Sequence, residues 1–376
     1  MTPASHPSNL QANSVSDAIF IWKSARHASL GDADPSYKYV IFPLLGIDKF
    51  IHCYTHESRN CLGECEKSGC VGKRCFPHCT FSSDGASLDF PWYTQEPSYM
   101  RWKQWDCQSD CRYYCMLNSD RVRSSFGHGI VKYHSKWPFK RVFGIQQPAS
   151  VAFSALNLAM HFHGWLSFFI LLYYKLPTGL DKKPYYDYAG LFHLYGLLAL
   201  NSWFWGTVFH SRDVEFTGKL HYFSGIVLVG YSLILAILRC FNVKLEAARV
   251  MVSAPLLAFV TVHILYLNNY QMDYGMNMKV CVVMAAAQLL IWAIWAGTSC
   301  HPSRQKLWLV VVAGAAVMLL EIYDFPSYEG FLDAHTASHA ITIPLTYTWW
   351  SFIKDDVEFT TSTLLKNGKM ASRKSL

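Results

Sequence analysis

From Pro148 onward the chain consists of seven apolar runs, and no other feature limits its fold so strongly. The runs span 148–174, 188–210, 219–241, 248–268, 276–298, 306–325 and 333–353. Each is near the roughly 20 residues that a helix needs to cross the hydrocarbon core of a bilayer. Backbone groups find no water there, so runs of this kind are expected to be helical, and their short connections favour antiparallel neighbours. Composition agrees: 52% of the 376 residues are hydrophobic and 16% are charged, against about 25% charged in soluble domains. Disorder is excluded, because disordered chains lack aromatics and carry more charge. The net charge of +7 is distributed by membrane topology, and with no binding motif beside it no nucleic-acid partner is expected.

The cysteines divide the chain in the same way. Of twelve, eight lie between the first and last of Cys61, Cys65, Cys70, Cys75, Cys79, Cys107, Cys111 and Cys115. Such a cluster reads as four disulfides in an oxidising lumen, or as zinc ligands elsewhere. Its CxxxC spacings suit zinc ribbons poorly, since those use CxxC knuckles. The expected fold is therefore an all-α membrane protein: a seven-transmembrane-helix bundle with an N-terminal disulfide-rich lumenal domain. Its segments are an atypical N-terminal stretch (1–60), the cysteine-rich, loop-rich domain (61–147), the bundle (148–354) and a cytosolic tail (355–376). No signal peptide is expected in residues 1–60, where the best apolar piece, Val40 to Ile47, is short and interrupted by Pro43. Cys53 would be left unpaired.

Lysine and arginine set the orientation. With a lumenal N-terminus, the cytosolic side carries Lys175, Lys182, Lys183, Arg239, Lys244, Arg249, Arg304, Lys306, Lys354, Lys366, Lys369, Arg373 and Lys374. The lumenal loops carry Arg212, Lys219 and Lys279. Thirteen against three agrees with disulfides on the lumenal side.

Ionisable groups within a membrane segment are functional candidates. His335 and His339, in Asp333-Ala-His335-Thr-Ala-Ser-His339, are four residues apart and share a helix face, so they can hold one metal. Taken alone, two satisfied or exposed histidines explain the pair equally well. His210 closes the second run and His221 opens the third, so all four fall in one lumenal layer. Three histidines with an open position form a catalytic zinc arrangement, which acidifies water and polarises a carbonyl. His161, His163, His193 and His263 read as helix-to-helix hydrogen-bonding residues. Trp203, Trp205 and Tyr222 read as interfacial anchors.

Several stretches in order resemble the post-GPI attachment to proteins factor 3 family, most closely its plant forms. They are Cys61-Leu-Gly-Glu-Cys-Glu-Lys-Ser-Gly-Cys70, Trp102-Lys-Gln-Trp-Asp-Cys107, Lys132-Tyr-His-Ser-Lys-Trp-Pro-Phe139, Asn201-Ser-Trp-Phe-Trp205, Phe209-His210-Ser-Arg-Asp213 and Asp333 to His339. That family is similar to alkaline ceramidases and adiponectin-type receptors, a superfamily of seven-helix membrane hydrolases. The resemblance implies lipid remodelling of GPI anchors in the Golgi apparatus or endoplasmic reticulum. The reaction implied is phospholipase A2-type, zinc-dependent hydrolysis of the sn-2 acyl ester of GPI-anchored proteins, with membrane lipid as the other partner.

By position, the resemblance assigns Zn2+ to His210, His335 and His339. It also expects a serine four residues before the first histidine and an aspartate eleven after it, both acting on the water. Gly206 and His221 stand there instead, and Gln147 stands where an acidic residue precedes Pro148. His221 becomes a candidate replacement base or a fourth ligand. Two other readings follow: a catalytically impaired relative that binds zinc and lipid without turnover, and a receptor-like protein.

Overall fold

The computed structural model describes residues 56–76, 78–79, 105–127, 129–133, 136–178, 184–270 and 274–374. The expectations for residues 1–55, Cys53, Trp102, Lys182 and Lys183 lie outside the described residues.

The cysteine-rich part is more helical than its sequence suggested. Helix α1 (His56–Ser68) is followed by a short antiparallel hairpin of β1 (Cys70–Val71) and β2 (Arg74–Cys75), then by α2 (Cys107–Ser125). The CxxxC spacing is a helical one: it sets Cys61 and Cys65 on one face of α1, and Cys107, Cys111 and Cys115 on one face of α2. Those faces meet through Cys61–Cys115 and Cys65–Cys111, while Cys70–Cys75 closes the hairpin and Cys79–Cys107 joins Cys79 to the first residue of α2. Cys65, Cys111 and Cys115 are fully enclosed with Phe76 in a small core. The sulfurs of Cys79, Cys107 and Cys111 come within 4.8 Å of one another, and the disulfides account for that proximity without a metal.

Each apolar run is one helix. They are α3 (Pro148–Ile170, extended by a π-helical turn Leu171–Lys175), α4 (Ala189–Ser211), α5 (Glu215–Cys240), α6 (Glu246–Asn269), α7 (Tyr274–Thr298), α8 (Arg304–Tyr323) and α9 (Ala334–Lys374). Helix α9 runs unbroken past residue 354, and Asp356, Val357 and Thr361 beyond that point are buried. Helix α3 packs between α4 and α9, α5 against α4 and α7, and α8 against α7 and α9, which closes a ring; α6 lies outside, mainly on α5. Outward residues such as Met251, Val283 and Val312 are 75%, 68% and 63% exposed, an apolar exterior suited to lipid rather than water. The chain is a multi-pass membrane protein.

Among the described residues, α3, α5, α6, α7 and α8 are long and apolar enough on their own to cross a membrane. Helices α4 and α9 are not in that group, although the sequence suggested seven equivalent spans. These two carry His210, His335 and His339, and α9 also carries Thr336, Ser338, Asp355 and Asp356. Helix α4 also carries His193, Asn201 and Ser202, and polar side chains along both helices lower their apolar character.

The core is aromatic: Trp350, Phe168, Tyr186, Phe192 and Phe352 are buried together. Helix α3 approaches α9 through Gly164, where an added Cβ would lie 2.2 Å from Trp350 Cγ. Small residues allow such backbone approach in membrane bundles. Gly164→Ala is expected to force the buried Trp350 aside and cost about 1–3 kcal/mol, as overpacking does. A fall in the melting temperature of the detergent-solubilised chain would register it; an unchanged value would refute the tight contact.

At one end of the bundle, buried Asp356 accepts hydrogen bonds from Arg239 Nε (2.8 Å) and Tyr186 Oη (2.5 Å). Nearby Asp355 accepts from Lys306 Nζ (2.6 Å). Loss of a partner of Asp356 would leave an uncompensated buried charge, so this network fixes α9 against α5 at that end, while the more exposed Lys306–Asp355 pair links α9 to α8.

Candidate metal centre

The opposite end of the bundle begins with a strap from the cysteine-rich part. Arg141 sits at its root, with its guanidinium 2.8 Å from Asp110 and stacked over Trp105 and Tyr113. Burial pulls this guanidinium below its ordinary pKa, and the charge of Asp110 works against that shift. Along the strap, Lys136 pairs with Asp213 in the α4–α5 turn, and Lys132 pairs with Asp324 at the end of α8. Trp137 Nε1 also donates to Asp324, at 2.9 Å. The backbone N–H groups of Gln146 and Gln147 then donate to the carbonyls of Ser211 (3.1 Å) and His210 (3.0 Å). The end of a helix leaves its last carbonyls without partners; here the strap supplies two, which holds the last turn of α4 and His210 with it.

The other histidines are positioned by equally local devices. Asp333 accepts from Thr336 N–H (2.8 Å) and Thr336 Oγ1 (2.7 Å), an N-cap for α9 two residues before His335. Ser150 Oγ on α3 lies 2.8 Å from Thr336 Oγ1, tying that capped turn to the bundle. Thr217 Oγ1 donates to the carbonyl of Arg212 (2.7 Å) and accepts from Val214 N–H (3.2 Å), securing the turn before His221.

The four histidines converge. Ring centroids of His210 lie 5.3 Å from His335, 5.1 Å from His339 and 5.6 Å from His221, and His335 and His339 are 4.4 Å apart. The ligand atoms of His210, His221 and His335 all fall within 4.8 Å of one another. His339 lies against that trio, its ring centroid 5.1 Å from His210 and 4.4 Å from His335.

Each of the three histidines first assigned to the metal has a partner at Nδ1. His210 Nδ1 lies 2.6 Å from Gln147 Oε1, His335 Nδ1 lies 2.9 Å from Glu321 Oε1, and His339 Nδ1 lies 3.0 Å from Ser154 Oγ. Metal-binding histidines nearly always donate the second ring N–H in this way, which fixes tautomer and orientation. The other nitrogens are therefore available on the side where the rings meet. His210 Nε2 and His221 Nδ1 are buried there with no hydrogen-bond partner, an arrangement costly for imidazole unless a cation takes the lone pairs. The residues fit a metal ion with nitrogen preference, zinc among them.

Gly206 faces the same space: a Cβ built there would lie 3.5 Å from His221 Nδ1 and 4.0 Å from Ser154 Oγ. Trp203 packs edge-on against His339 with centroids 5.1 Å apart, so it forms a wall of the site instead of an interfacial anchor. Tyr222 likewise packs on Phe209 and Tyr274, whereas Trp205 lies with Phe204 and Phe216. Away from the cluster, His161 accepts from Trp350 Nε1 (3.2 Å), His193 accepts from Trp165 Nε1 (3.2 Å) and His263 lies 3.3 Å from Asn277 Oδ1. These three bridge helices, as the sequence suggested. His163 does not enter such a bridge; it is exposed on the outside of α3.

Sequence reasoning overlooked Glu321 and Ser154. Glu321 had a usable signal, a carboxylate four residues from the end of an apolar run. Ser154 had none, because one serine among the small residues of α3 is unremarkable without the packing.

Comparison with known proteins places the chain in a family. The chain is 30% identical over 345 residues to the zebrafish (Danio rerio) protein named GPI-specific phospholipase A2-like PGAP3, covering 90% of this chain and 94% of that protein. The human protein of the same name is 32% identical over 300 residues, with 79% of this chain and 86% of the relative covered. Post-GPI attachment to proteins factor 3 of Drosophila melanogaster is 28% identical over 303 residues, covering 78% and 85%. No solved structure matches the chain. The Per1-like family model matches residues 97–357, from within the cysteine-rich part to the far end of the bundle, and the chain belongs to that family.

Proposed function

We propose that this protein remodels the lipid of GPI anchors by zinc-dependent hydrolysis of the sn-2 acyl ester on GPI-anchored proteins. The observation that carries the proposal is the convergence of His210, His335 and His339, each held at Nδ1, in a chain whose relatives are named GPI-specific phospholipase A2-like. A bound zinc would supply Lewis-acid polarisation of the ester carbonyl and a lowered water pKa. Gln147, Glu321 and Ser154 hold the three rings, and the Glu321 carboxylate makes His335 more electron-donating. Trp203 closes one wall. In this reading His221 Nδ1 takes the proton of the attacking water and returns it to the leaving oxygen of the lyso lipid. Water adds to the acyl carbon, the ester C–O bond breaks, and the products are a fatty acid and a lyso lipid. We also propose a lumenal cysteine-rich part and a cytosolic C-terminus in a Golgi or endoplasmic reticulum membrane, which the thirteen-to-three basic asymmetry supports.

A second reading, a relative that holds zinc and lipid without turnover, is favoured by Gly206 and by the nearness of His221 to His210 and His335. Loss of a group acting around a metal typically costs about 10–100-fold. The expected result is therefore weak remodelling by this chain, raised at least about tenfold by Gly206→Ser with His221→Asp. The assay expresses the chain in cells lacking their own enzyme, and reads the sn-2 acyl chain of their GPI anchors by mass spectrometry. Full rescue by the unchanged chain would show that these two positions do not impair it. Failure of the double change, with His335→Ala no different, would remove the hydrolase reading.

A further inference from the structure

The two unusual positions of the site face each other. Residue 206 has no side chain, and the His221 ring occupies the adjoining space, with Cε1 and Nδ1 each 3.5 Å from where a Cβ would stand. A Cβ alone would make ordinary contact, whereas any atom beyond it in that direction would overlap the ring. Glycine at 206 and imidazole at 221 therefore form one coupled change: the first makes room for the second.

The orientation of His221 is also set. Its ring stacks on Phe209 with centroids 4.9 Å apart and planes 12° from parallel, which directs the ring edge at the cluster. Nδ1 is buried and has no hydrogen-bond partner. A general base would be expected to meet a hydrogen-bonding group or open space through which its proton leaves. This nitrogen has no such group and is closed off from solvent, and the His221 ring belongs to the trio with His210 and His335 whose ligand atoms lie within 4.8 Å.

We infer that His221 is a metal ligand, occupying the coordination position that a water would hold in an open catalytic site. The centre becomes a closed set of four imidazoles, contributed by α4, α5 and α9. This inference rests on the metal-binding reading above and decides between its two versions. Catalytic zinc sites keep three protein ligands and an open position, whereas closed four-ligand sites are structural. The metal would clamp the last turn of α4 to the first turns of α5 and α9, at the mouth where the strap arrives. The chain would then serve as a metal-stabilised membrane protein with little hydrolytic turnover, and replacement of His221 would reopen the position.

Cobalt-loaded full-length protein in detergent tests this by two readouts independent of activity. X-ray absorption counts imidazole ligands, and visible absorption during azide titration reports an open position. We expect four imidazoles and no azide response in the unchanged protein, against three imidazoles and a clear azide response in His221→Phe. Phenylalanine preserves the stack on Phe209, so the variant keeps that packing, and His221→Asn serves as a second replacement. Metal transfer to a chelator should also accelerate at least about tenfold in both variants, the lower end of the loss seen when even an outer partner of a metal is removed. An identical imidazole count with and without His221, and an azide response in the unchanged protein, would overturn the inference while leaving a three-histidine centre intact. No cobalt binding by the unchanged protein would overturn the underlying metal reading as well.

Discussion

Replacing His335 with alanine is expected to empty the metal centre: bound zinc per chain should drop from about one to near zero in purified protein, while the bundle stays folded. His335 shares its helix face with His339 and lies nearest the Glu321 carboxylate, at 2.9 Å. Its removal deletes a ligand and leaves Glu321 without its histidine partner. Glu321→Gln is the graded companion: the amide can still accept from Nδ1, but the charge is lost. An outer partner of this kind typically contributes about 10–100-fold in metal affinity, so Glu321→Gln should weaken zinc binding within that range. Gln147→Glu should act in the opposite direction, because it would give His210 the carboxylate that His335 already has. Metal analysis and competition with a chromogenic chelator give all three values. Unchanged zinc content in His335→Ala would refute the centre.

The second large effect is expected in the cysteine-rich part. Cys61–Cys115 and Cys65–Cys111 are nested, with sequence separations of 54 and 46. With one bridge in place, the other closes only a small ring of about ten residues, an entropic contribution of about 3 kcal/mol. With both absent, α1 is tied to α2 only through the remaining Cys79–Cys107 bridge, a ring of about 20 residues opens, and the combined loss is about 6 kcal/mol on the same chain-entropy scale. That is comparable with the entire stability of many domains, about 5–15 kcal/mol. Cys65→Ser with Cys111→Ser should therefore leave a destabilised but folded α1–α2 pair, while replacement of all four cysteines should unfold it. Limited proteolysis of the full chain in mild detergent distinguishes them: the quadruple variant should lose the cysteine-rich part rapidly and keep a resistant bundle. Equal resistance in both variants would show that the helix contacts, not the bridges, hold this part together.

These effects depend on features of quite different visibility in the sequence. The helices were legible because a bilayer demands long apolar runs, and every run from Pro148 to the histidine pair became one helix. His335 and His339 were legible as a pair because four residues make just over one helical turn. The convergence of His210 and His221 upon them needed only the alternation of antiparallel helices, which returns the end of one run and the start of the next to the same membrane depth.

Depth alone does not determine which side chains touch. The rotation of α3 and α8 about their own axes brings Ser154 to His339 and Glu321 to His335, and that rotation follows from packing such as Trp350 seated over Gly164. The same is true of the cysteines. Their spacing marked a disulfide set, yet the pairing of α1 with α2 emerged only once those spacings proved to be faces of helices. For His221 the sequence established that an imidazole stands near the metal, at a position next to a glycine-made space. The tertiary structure decided where that imidazole points, because stacking on Phe209 is a contact between separate helices that no local pattern encodes.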